Sequence, residues 1–388
     1  MEEPMRQFLD FLALAEFSQA TLLIFILLVM DRNRRANLFF AAFIFILSSN
    51  FFSFYLFKTG FKYPALVFAA FSIPGISLSG VFIYFYTLFV TGLLEKFSKR
   101  HLAHFVVYFV SLILFIVLLL TSTDFPERSH HFKKYMFLII NIGLVNSIIY
   151  IVYTIIILGR YYHKIENYYS DLERMSLNWL KRITTLAFIA LLFWCVGFWF
   201  SHLNIIPRNP AAMALNIVIL IIIIFITAYY LINQPEIFKK NIEMEHSIDD
   251  SERESVAEKY ARQSIDESMQ DDYLARLNNY MSDHKPYLEE NITIKDLAEE
   301  IGIPAHHLSI VINNRLNKNF YTFINEYRIK EAVSILDDPH NSDASIIAVA
   351  FRSGFNSKST FNSVFKKITG FTPSEYRNRS SFRSELAS

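Results

Sequence analysis

Long hydrophobic runs dominate the first part of the chain. A lipid bilayer has a hydrocarbon core about 30 Å thick, which a helix of about 20 apolar residues can cross. Seven runs of about that length occur before residue 233, so we predict a seven-helix membrane domain over residues 1–232. The runs lie near Phe8 to Met30, Ala36 to Phe57, Pro64 to Gly92, Leu102 to Leu120, Tyr135 to Leu158, Ile183 to His202 and Ala211 to Leu231.

The pattern changes after residue 232. Residues 1–232 carry eleven Asp and Glu side chains, whereas residues 233–388 carry twenty-five and contain no apolar run near membrane length. Residues 233–272 are acidic and lack a continuous apolar face, and we interpret them as a charged helical connector. Residues 273–379 alternate short amphipathic helices with tight turns, which predicts an all-α domain, and residues 380–388 form a tail.

The end of the connector carries an apolar stripe. Ile265, Met269, Tyr273, Leu277 and Tyr280 follow one another at steps of four, four, four and three, which places them on one face of a helix. This stripe could pair with a second copy of the chain as a short coiled coil, giving a homodimer. It could instead pack on the domain that follows, and the sequence leaves both alternatives open.

The charges of the loops predict the orientation in the membrane. Lys and Arg near the ends of spans favour the cytoplasmic side. If the C-terminus lies inside, thirteen Lys and Arg residues fall on the cytoplasmic side and seven on the outer side. We therefore expect an external N-terminus and a cytoplasmic C-terminal domain.

The predicted spans contain little candidate chemistry. Glu16 is the one clear ionisable side chain within them, and a charge at the bilayer centre costs about 3 kcal/mol on insertion scales. Glu16 is therefore either a signal-sensing contact, for a ligand or a proton, or a carboxyl that faces the bundle and is hydrogen-bonded or partly hydrated. No carboxylate or thiolate cluster completes a metal site with His101 and His104. We predict no metal, no cofactor and no enzymatic activity.

Two segments about fifty residues apart share one pattern. They are "ITIKDLAEEIGIPAHHLSIVINNRL" and "ASIIAVAFRSGFNSKSTFNSVFKKITG", and they place Ala298 four residues before Gly302 and Ala350 four residues before Gly354. Two helices that cross steeply over a short turn need a small residue at their contact and a turn residue that accepts positive φ. We predict two helix-turn-helix units, at about residues 293–315 and 344–367, joined by the helix "NFYTFINEYRIKEAVSILDD". The predicted core positions are Leu297, Ala298, Ile301, Leu308, Val311, Ile312, Ile347, Ala350, Phe355, Phe361, Phe365, Ile368 and Tyr376.

Residues 290–377, about a quarter of the chain, resemble the DNA-binding domain of AraC/XylS-family transcription regulators. The resemblance rests on "LAEEIGIPAHHLS" and on "AFRSGFNSKSTFNSVFKKITGFTPSEYR", in which G-F-x-S, F-x-x-x-F and K-x-x-G-x-T-P-x-x-Y-R follow in the family's order. It implies a bilobed all-α domain whose two recognition helices enter adjacent major grooves of double-stranded DNA. It also implies RNA polymerase as a partner, and together with the predicted spans it gives a multi-pass location in a bacterial cytoplasmic membrane.

The resemblance assigns candidate DNA contacts to both recognition helices. Lys and Asn side chains suit the edges of guanine and adenine, while Lys side chains and helix N-termini suit phosphates. The candidates are Ala305, His306, Ser309 and Asn313 in the first unit, and Asn356, Ser357, Lys358, Ser359, Asn362, Ser363, Lys366 and Lys367 in the second.

Basic charge is concentrated in the second unit. Residues 233–345 hold twelve basic and twenty-three acidic residues, net −11, whereas residues 346–388 hold seven and two, net +5. Because phosphate neutralisation supplies most of the non-specific affinity for DNA, we expect the second unit to dominate the contact.

Together these patterns predict a membrane-bound one-component transcription regulator, in which a seven-helix bundle precedes a cytosolic tandem helix-turn-helix domain. In this prediction the bundle lies in the lipid bilayer and changes conformation when an unknown signal ligand or membrane partner binds. Two alternatives remain for the bundle. It could transport or act on a lipid, or it could serve only as a tether or dimerisation platform.

Overall fold

The structure is a computed structural model that describes residues 2–121, 130–172, 177–202, 210–233, 266–341 and 343–379. Over these residues the chain is helical and forms no strand, and one isolated antiparallel bridge pairs Tyr169 with Thr293. The α-helices are α1 Glu2–Val29, α2 Arg34–Lys58, α3 Lys62–Val90, α4 Val106–Thr121, α5 His130–Glu166, α6 Asn178–His202, α7 Pro210–Asn233, α8 Glu267–His284, α9 Ile294–Glu300, α10 Ala305–Leu316, α11 Phe320–Asp337, α12 Ile346–Arg352 and α13 Lys358–Thr369. A helix α14 covers residues 373–379, and 3₁₀ turns cover Lys99–Phe105, Pro286–Leu288 and Pro339–Asn341.

The described residues form two compact units. The first contains residues 2–159 and 177–233, and the second contains residues 160–172 and 266–379. The sequence places residues 160–172 in the membrane domain, whereas the structure groups them with the C-terminal helices. The predicted boundaries at 232, 272 and 379 stay predictions, because residues 234–265 and 380–388 lie outside the described residues.

Five helical stretches of the described chain are long and apolar enough to cross a membrane. A helix pairs its own backbone N–H and C=O groups along its length, which an apolar environment requires. The stretches are Glu3–Val29, Arg34–Lys58, Lys62–Val90, Lys99–Thr121 and Lys134–Glu166, and a shorter apolar helix covers Ile217–Leu231. The count of seven spans is not confirmed and stays a prediction.

Helices α3 and α5 approach each other closely at Gly80. A Cβ atom on Gly80 would lie 2.5 Å from the carbonyl oxygen of Ser147, so the contact excludes a side chain there. The hydroxyls of Ser79 and Ser147 are 2.9 Å apart, and Asn146 Nδ2 donates to the Ser77 carbonyl oxygen at 2.8 Å. Small residues and side-chain hydrogen bonds commonly hold membrane helices together.

A cavity of about 120 Å³ lies among α2, α3, α5, α6 and α7. Most of its wall is apolar, and the polar residues Asn50, Ser72, Ser79 and Thr184 also line it. Thr184 is buried, and its hydroxyl has no hydrogen-bond partner among the described residues. The cavity therefore combines an apolar wall with an unsatisfied hydroxyl.

Glu16 is fully buried in α1. Neither of its carboxylate oxygens has a hydrogen-bond partner in the part of the chain that the structure describes. The structure therefore shows no hydrogen-bonded carboxyl there, and a partly hydrated carboxyl stays a prediction. Glu16 is also not among the residues that line the cavity, and its role in sensing stays a prediction.

Helix α11 belongs to two hydrophobic cores of the second unit. Its first half packs with α8, α9 and α10, and its second half packs with α12 and α13. The buried side chains of α11 are Phe320, Phe323 and Ile324 in the first core and Ile329, Ala332, Ile335 and Leu336 in the second.

The predicted core positions are buried or packed on a core, with two exceptions. Ile347 is 42% exposed and Ile368 is 45% exposed, so both predictions were wrong. Ile347 lies beside the stripe that Val349 and Ala350 bury, and Ile368 lies in the last turn of α13, beyond the core. Nine of the predicted core residues are buried: Leu297, Ala298, Leu308, Val311, Ile312, Ala350, Phe355, Phe361 and Phe365. Ile301 and Tyr376 are partly buried against the cores.

The connector stripe packs on the domain that follows it. Leu277 is fully buried in the first core, and Tyr273 and Tyr280 pack against the same core. Met269 is 43% exposed, and Ile265 lies outside the described residues. The packing alternative is therefore observed, and pairing with a second copy stays a prediction.

Candidate nucleic-acid interface

The first helix-turn-helix unit consists of α9 and α10. The Thr293 hydroxyl accepts a hydrogen bond from the Asp296 backbone N–H at 3.2 Å, and the Asp296 carboxylate accepts one from the Thr293 N–H at 2.9 Å. This capping box pairs backbone donors at the helix start. Gly302 forms the turn with a φ of 67°, and Ala298 is 2% exposed. The Ala298–Gly302 spacing thus produces the geometry that the sequence predicts.

The second unit, α12 and α13, repeats this arrangement. The Ser345 hydroxyl accepts a hydrogen bond from the Ala348 N–H at 3.1 Å, and the Ser357 hydroxyl accepts one from the Thr360 N–H at 3.3 Å. Both serines therefore cap a helix start. Gly354 forms the turn with a φ of 88°.

The candidate contacts of α10 are only partly available. His306 and Asn313 are exposed, whereas Ala305 and Ser309 are half-buried. Asn313 Nδ2 donates to the Ser309 carbonyl oxygen at 2.8 Å and to Ser309 Oγ at 3.3 Å. Because this amide folds back onto its own helix, Asn313 must release these bonds before it can reach a base.

The candidate contacts of α13 lie on its outer face. Phe361, Val364 and Phe365 are buried and hold the inner face on the core. The outer face consists of Lys358, Ser359, Ser363, Lys366 and Lys367, which are exposed, and Asn362, which is half-buried. One helix thus combines three ammonium groups with three small polar side chains, a set suited to both phosphates and base edges.

Two candidates just before α13 make internal hydrogen bonds. Asn356 Nδ2 donates to the Asp171 carboxylate at 2.7 Å and lies 3.4 Å from Asn291 Oδ1. The Ser357 hydroxyl caps α13 and lies 2.8 Å from the Ser359 hydroxyl. The Asn356 amide can therefore reach DNA only after it leaves Asp171.

The two recognition helices differ in their positive charge. The Arg315 guanidinium of α10 lies 3.1 Å from the Asp271 carboxylate and donates to the Glu267 carbonyl oxygen at 3.0 Å. Helix α13 instead exposes three lysines. Attraction to phosphate should therefore come mainly from the second unit, as the charge count indicates.

Arg328 lies where the two helix-turn-helix units meet, a place we term the junction. It was not among the predicted functional residues. It is 1% exposed, and its Nε donates to the Tyr287 carbonyl oxygen at 2.7 Å. Its Nη2 donates to the carbonyl oxygens of Glu289 and Glu290 at 2.6 and 3.2 Å. Burial lowers the pKa of the guanidinium to about 10, so it stays protonated at neutral pH. Carbonyl oxygens replace the water that a buried charge gives up.

The sequence does contain a signal for this residue. Arg328 falls four residues after Ile324 and four before Ala332, on the apolar stripe of α11. A charged side chain at such a position must find its partners inside the protein. The junction is tight, because a Cβ atom on Gly354 would lie 2.4 Å from the Tyr287 carbonyl oxygen.

Residues 167–172, which we term the docking segment, pack into this junction directly after α5. Tyr169 forms the antiparallel bridge with Thr293. The Ile294 N–H donates to the Tyr168 carbonyl oxygen at 3.0 Å, and the Ser170 N–H donates to the Ile292 carbonyl oxygen at 3.4 Å on the other side of the bridge. The docking segment therefore lies along the start of the first helix-turn-helix unit.

Ser170 is the centre of the docked contact. Its hydroxyl donates to the Ile292 carbonyl oxygen at 2.7 Å. Arg328 Nη2 donates to this hydroxyl at 3.3 Å, and Arg328 Nη1 donates to the Ser170 carbonyl oxygen at 3.4 Å. Asn325 Nδ2 donates to the same carbonyl oxygen at 3.3 Å. No local sequence pattern marks these contacts, because they join residues more than 120 positions apart.

His307 should make the stability of the compact C-terminal unit, which includes both helix-turn-helix units, depend on pH. Burial lowers the pKa of its imidazole below the reference value of 6.5, and His306 beside it lowers the pKa further. A group with a lower pKa in the folded state stabilises the fold above its unfolded pKa, and this contribution is lost as the pH falls through the folded value. We expect the stability of the unit, measured by pulse proteolysis, to decrease from about pH 7.5 to about pH 5.

The variant His307→Gln should show a smaller decrease over the same range, because glutamine does not titrate. Exposed carboxylates titrate in both proteins, so the difference between the two curves isolates His307. Parallel curves would exclude His307 as the responsible group.

The comparisons with known proteins agree with this geometry. Residues 297–379 match the helix-turn-helix domain family. An uncharacterized HTH-type transcriptional regulator of Staphylococcus aureus (strain COL) is 30% identical over 118 residues, which are 30% of this chain and 15% of that protein. The melibiose operon regulatory protein of Escherichia coli (strain K12) is 31% identical over 108 residues, 27% of this chain and 35% of that protein.

The chain thus spans between 15% and 35% of the length of these curated relatives. No solved structure matches the chain. Residues 297–379 therefore form a helix-turn-helix domain, and the two relatives are named as a transcriptional regulator and an operon regulatory protein.

Proposed function

We propose that this chain is a membrane-bound one-component transcription regulator, controlled by a signal received in or at the membrane. The observation that carries the proposal is α13, which presents Lys358, Lys366 and Lys367 outward from a phenylalanine core. The five apolar helical stretches support a membrane location. The loop charges support a cytoplasmic DNA-binding domain.

In this proposal α13 supplies most of the affinity and part of the specificity. Lys358 and Asn362 reach base edges in the major groove, where each good bidentate contact contributes about 1 to 3 kcal/mol of discrimination. Lys366 and Lys367 hold phosphates. Helix α10 reads a neighbouring groove with His306 and with Asn313 once its amide is released.

The membrane bundle is proposed to receive the signal. A cavity of about 120 Å³ with the unsatisfied Thr184 hydroxyl supports a sensor over a passive tether. Glu16, buried without a partner among the described residues, remains the candidate contact for a proton or a ligand. Any signal can shift the protein only by the difference in its affinity for two conformations.

The test of the function is genome-wide mapping of the DNA bound by the full-length chain in living cells. We expect a small number of enriched sites that disappear in the double variant Lys358→Ala with Lys366→Ala. Alkaline washing of the membranes should leave the protein in the membrane pellet. The proposal fails if the double variant retains every site or if the washed protein is released into the supernatant.

A further inference from the structure

We propose that the docking segment is an autoinhibitory element: seated in the junction, it lowers the affinity of the second recognition helix for DNA, and the membrane helices control it through α5. This inference rests on the proposed function. It adds a named intramolecular partner and a direction of regulation.

The first argument concerns charge at the entrance to the groove. The docking segment holds the Asp171 carboxylate 2.7 Å from the Asn356 amide. Asn356 directly precedes Ser357, the N-cap of α13. The N-terminal residues of a recognition helix contact base edges, and the backbone N–H groups at a helix N-terminus attract phosphate. A carboxylate held there repels phosphate, and it occupies an amide that could read a base.

The second argument concerns the arrangement of the two units. The docking segment contacts the start of the first unit through the Tyr169–Thr293 bridge and the second unit through Asp171 and Asn356. Ser170 also joins it to Arg328 of α11, which spans both cores. Binding to adjacent major grooves requires one spacing between the recognition helices, about one helical turn of DNA. A segment that ties both units together restricts the spacings they can adopt.

The third argument concerns the link to the membrane helices. Helix α5 ends at Glu166, and Asn167 alone separates it from Tyr168. The N–H groups of Tyr168 and Tyr169 still donate to the Ile165 carbonyl oxygen, at 3.1 and 3.0 Å. Because the docking segment follows α5 directly and its first N–H groups bond to the last turn of α5, a displacement of α5 along its axis pulls on the segment with little slack.

A reversible cross-link tests the docked state directly. Hydrogen bonds flank Tyr169 and Thr293 on both sides, which makes them a non-hydrogen-bonded antiparallel pair with Cα atoms about 4.5 Å apart. That distance lies within the range for a disulfide. The variant is Tyr169→Cys with Thr293→Cys in the full-length chain, with Cys195→Ala to remove the native thiol.

The probe is a DNA duplex recovered in the mapping, and the protein is held in lipid nanodiscs. The oxidised protein should bind at least about fivefold more weakly than the same protein after reduction, the factor that one base contact supplies. The reduced form is the matched control, because it carries the same loss of the Thr293 cap. Labelling of free thiols verifies that the disulfide has formed.

A second variant tests the carboxylate without a cross-link. Asp171→Ala should bind the same duplex at least about fivefold more tightly, because it frees Asn356 and removes a negative charge. Asp283→Ala, an exposed acid on α8, removes the same charge elsewhere and should leave the affinity within about twofold of the parent. A purely structural role for Asp171 would lower stability and could not raise affinity.

Equal or tighter binding after oxidation overturns the proposal, and so does unchanged or weaker binding by Asp171→Ala. Failure of the reduced protein and of the wild type to bind any mapped duplex would instead refute the proposed function. The two failures are therefore distinguishable.

Discussion

Gly354→Ala is expected to destabilise the C-terminal unit severely, whereas Gly302→Ala should be tolerated. Both glycines have positive φ, 88° and 67°, so alanine costs about 1 to 2 kcal/mol at either position for the left-handed backbone. Only Gly354 is also crowded. Its Cβ atom would lie 2.4 Å from the Tyr287 carbonyl oxygen and 2.9 Å from Leu288 Cα, while nothing lies within 4 Å at Gly302. Overpacking adds about 1 to 3 kcal/mol.

Pulse proteolysis of the full-length chain, followed through a C-terminal epitope tag, measures this difference. The denaturant midpoint should fall by at least twice as much for Gly354→Ala as for Gly302→Ala. Equal shifts would show that the backbone beside Gly354 moves at little energetic cost. The junction of the two helix-turn-helix units would then be less tight than the structure indicates.

The double variant Lys358→Ala with Lys366→Ala should lose specific DNA binding, whereas His306→Ala should weaken binding only modestly. The lysines are exposed on α13, and the one guanidinium of α10, at Arg315, is paired with Asp271. Removing a lysine that neutralises a phosphate should also reduce the slope of log affinity against log salt by about 0.9. Gel shifts at several salt concentrations measure both the affinity and the slope.

Arg276→Ala with Lys330→Ala is the matched control, since it removes two positive charges from α8 and α11. It should leave the affinity within a few-fold of the parent, and the salt slope should change little. If His306→Ala proved more damaging than the double lysine variant, the first unit would dominate the contact, contrary to the charge distribution.

The tandem helix-turn-helix units were predictable because their determinants are local. A small residue four positions before a turn glycine, repeated in tandem on either side of an amphipathic helix, indicates two pairs of crossing helices, and Ala298 and Ala350 are 2% and 1% exposed as that pattern requires. The wrong predictions concern helix ends. Ile368 keeps the period of the buried stripe, but α13 extends past the core there, and a period cannot show where a core stops.

The junction was not predictable from local patterns. Ser170 and Asp171 lie in a polar loop between two predicted spans, and their partners are more than a hundred residues away. Arg328 was more accessible to reasoning, since it interrupts an apolar stripe, yet a stripe does not reveal which carbonyl groups surround it. The groove-facing residues were predictable only in part. The helix period places them outward, but it does not show that the Asn313 and Asn356 amides make internal hydrogen bonds.

Helix α11 supplies side chains to both cores of the C-terminal unit, and this limits how the domain can be divided. The two helix-turn-helix units cannot be treated as interchangeable modules, because no cut between them leaves each with a complete interior. Loss of packing in one unit withdraws the support of the other. We therefore expect the domain to bind or release two adjacent major grooves together, in one all-or-none transition.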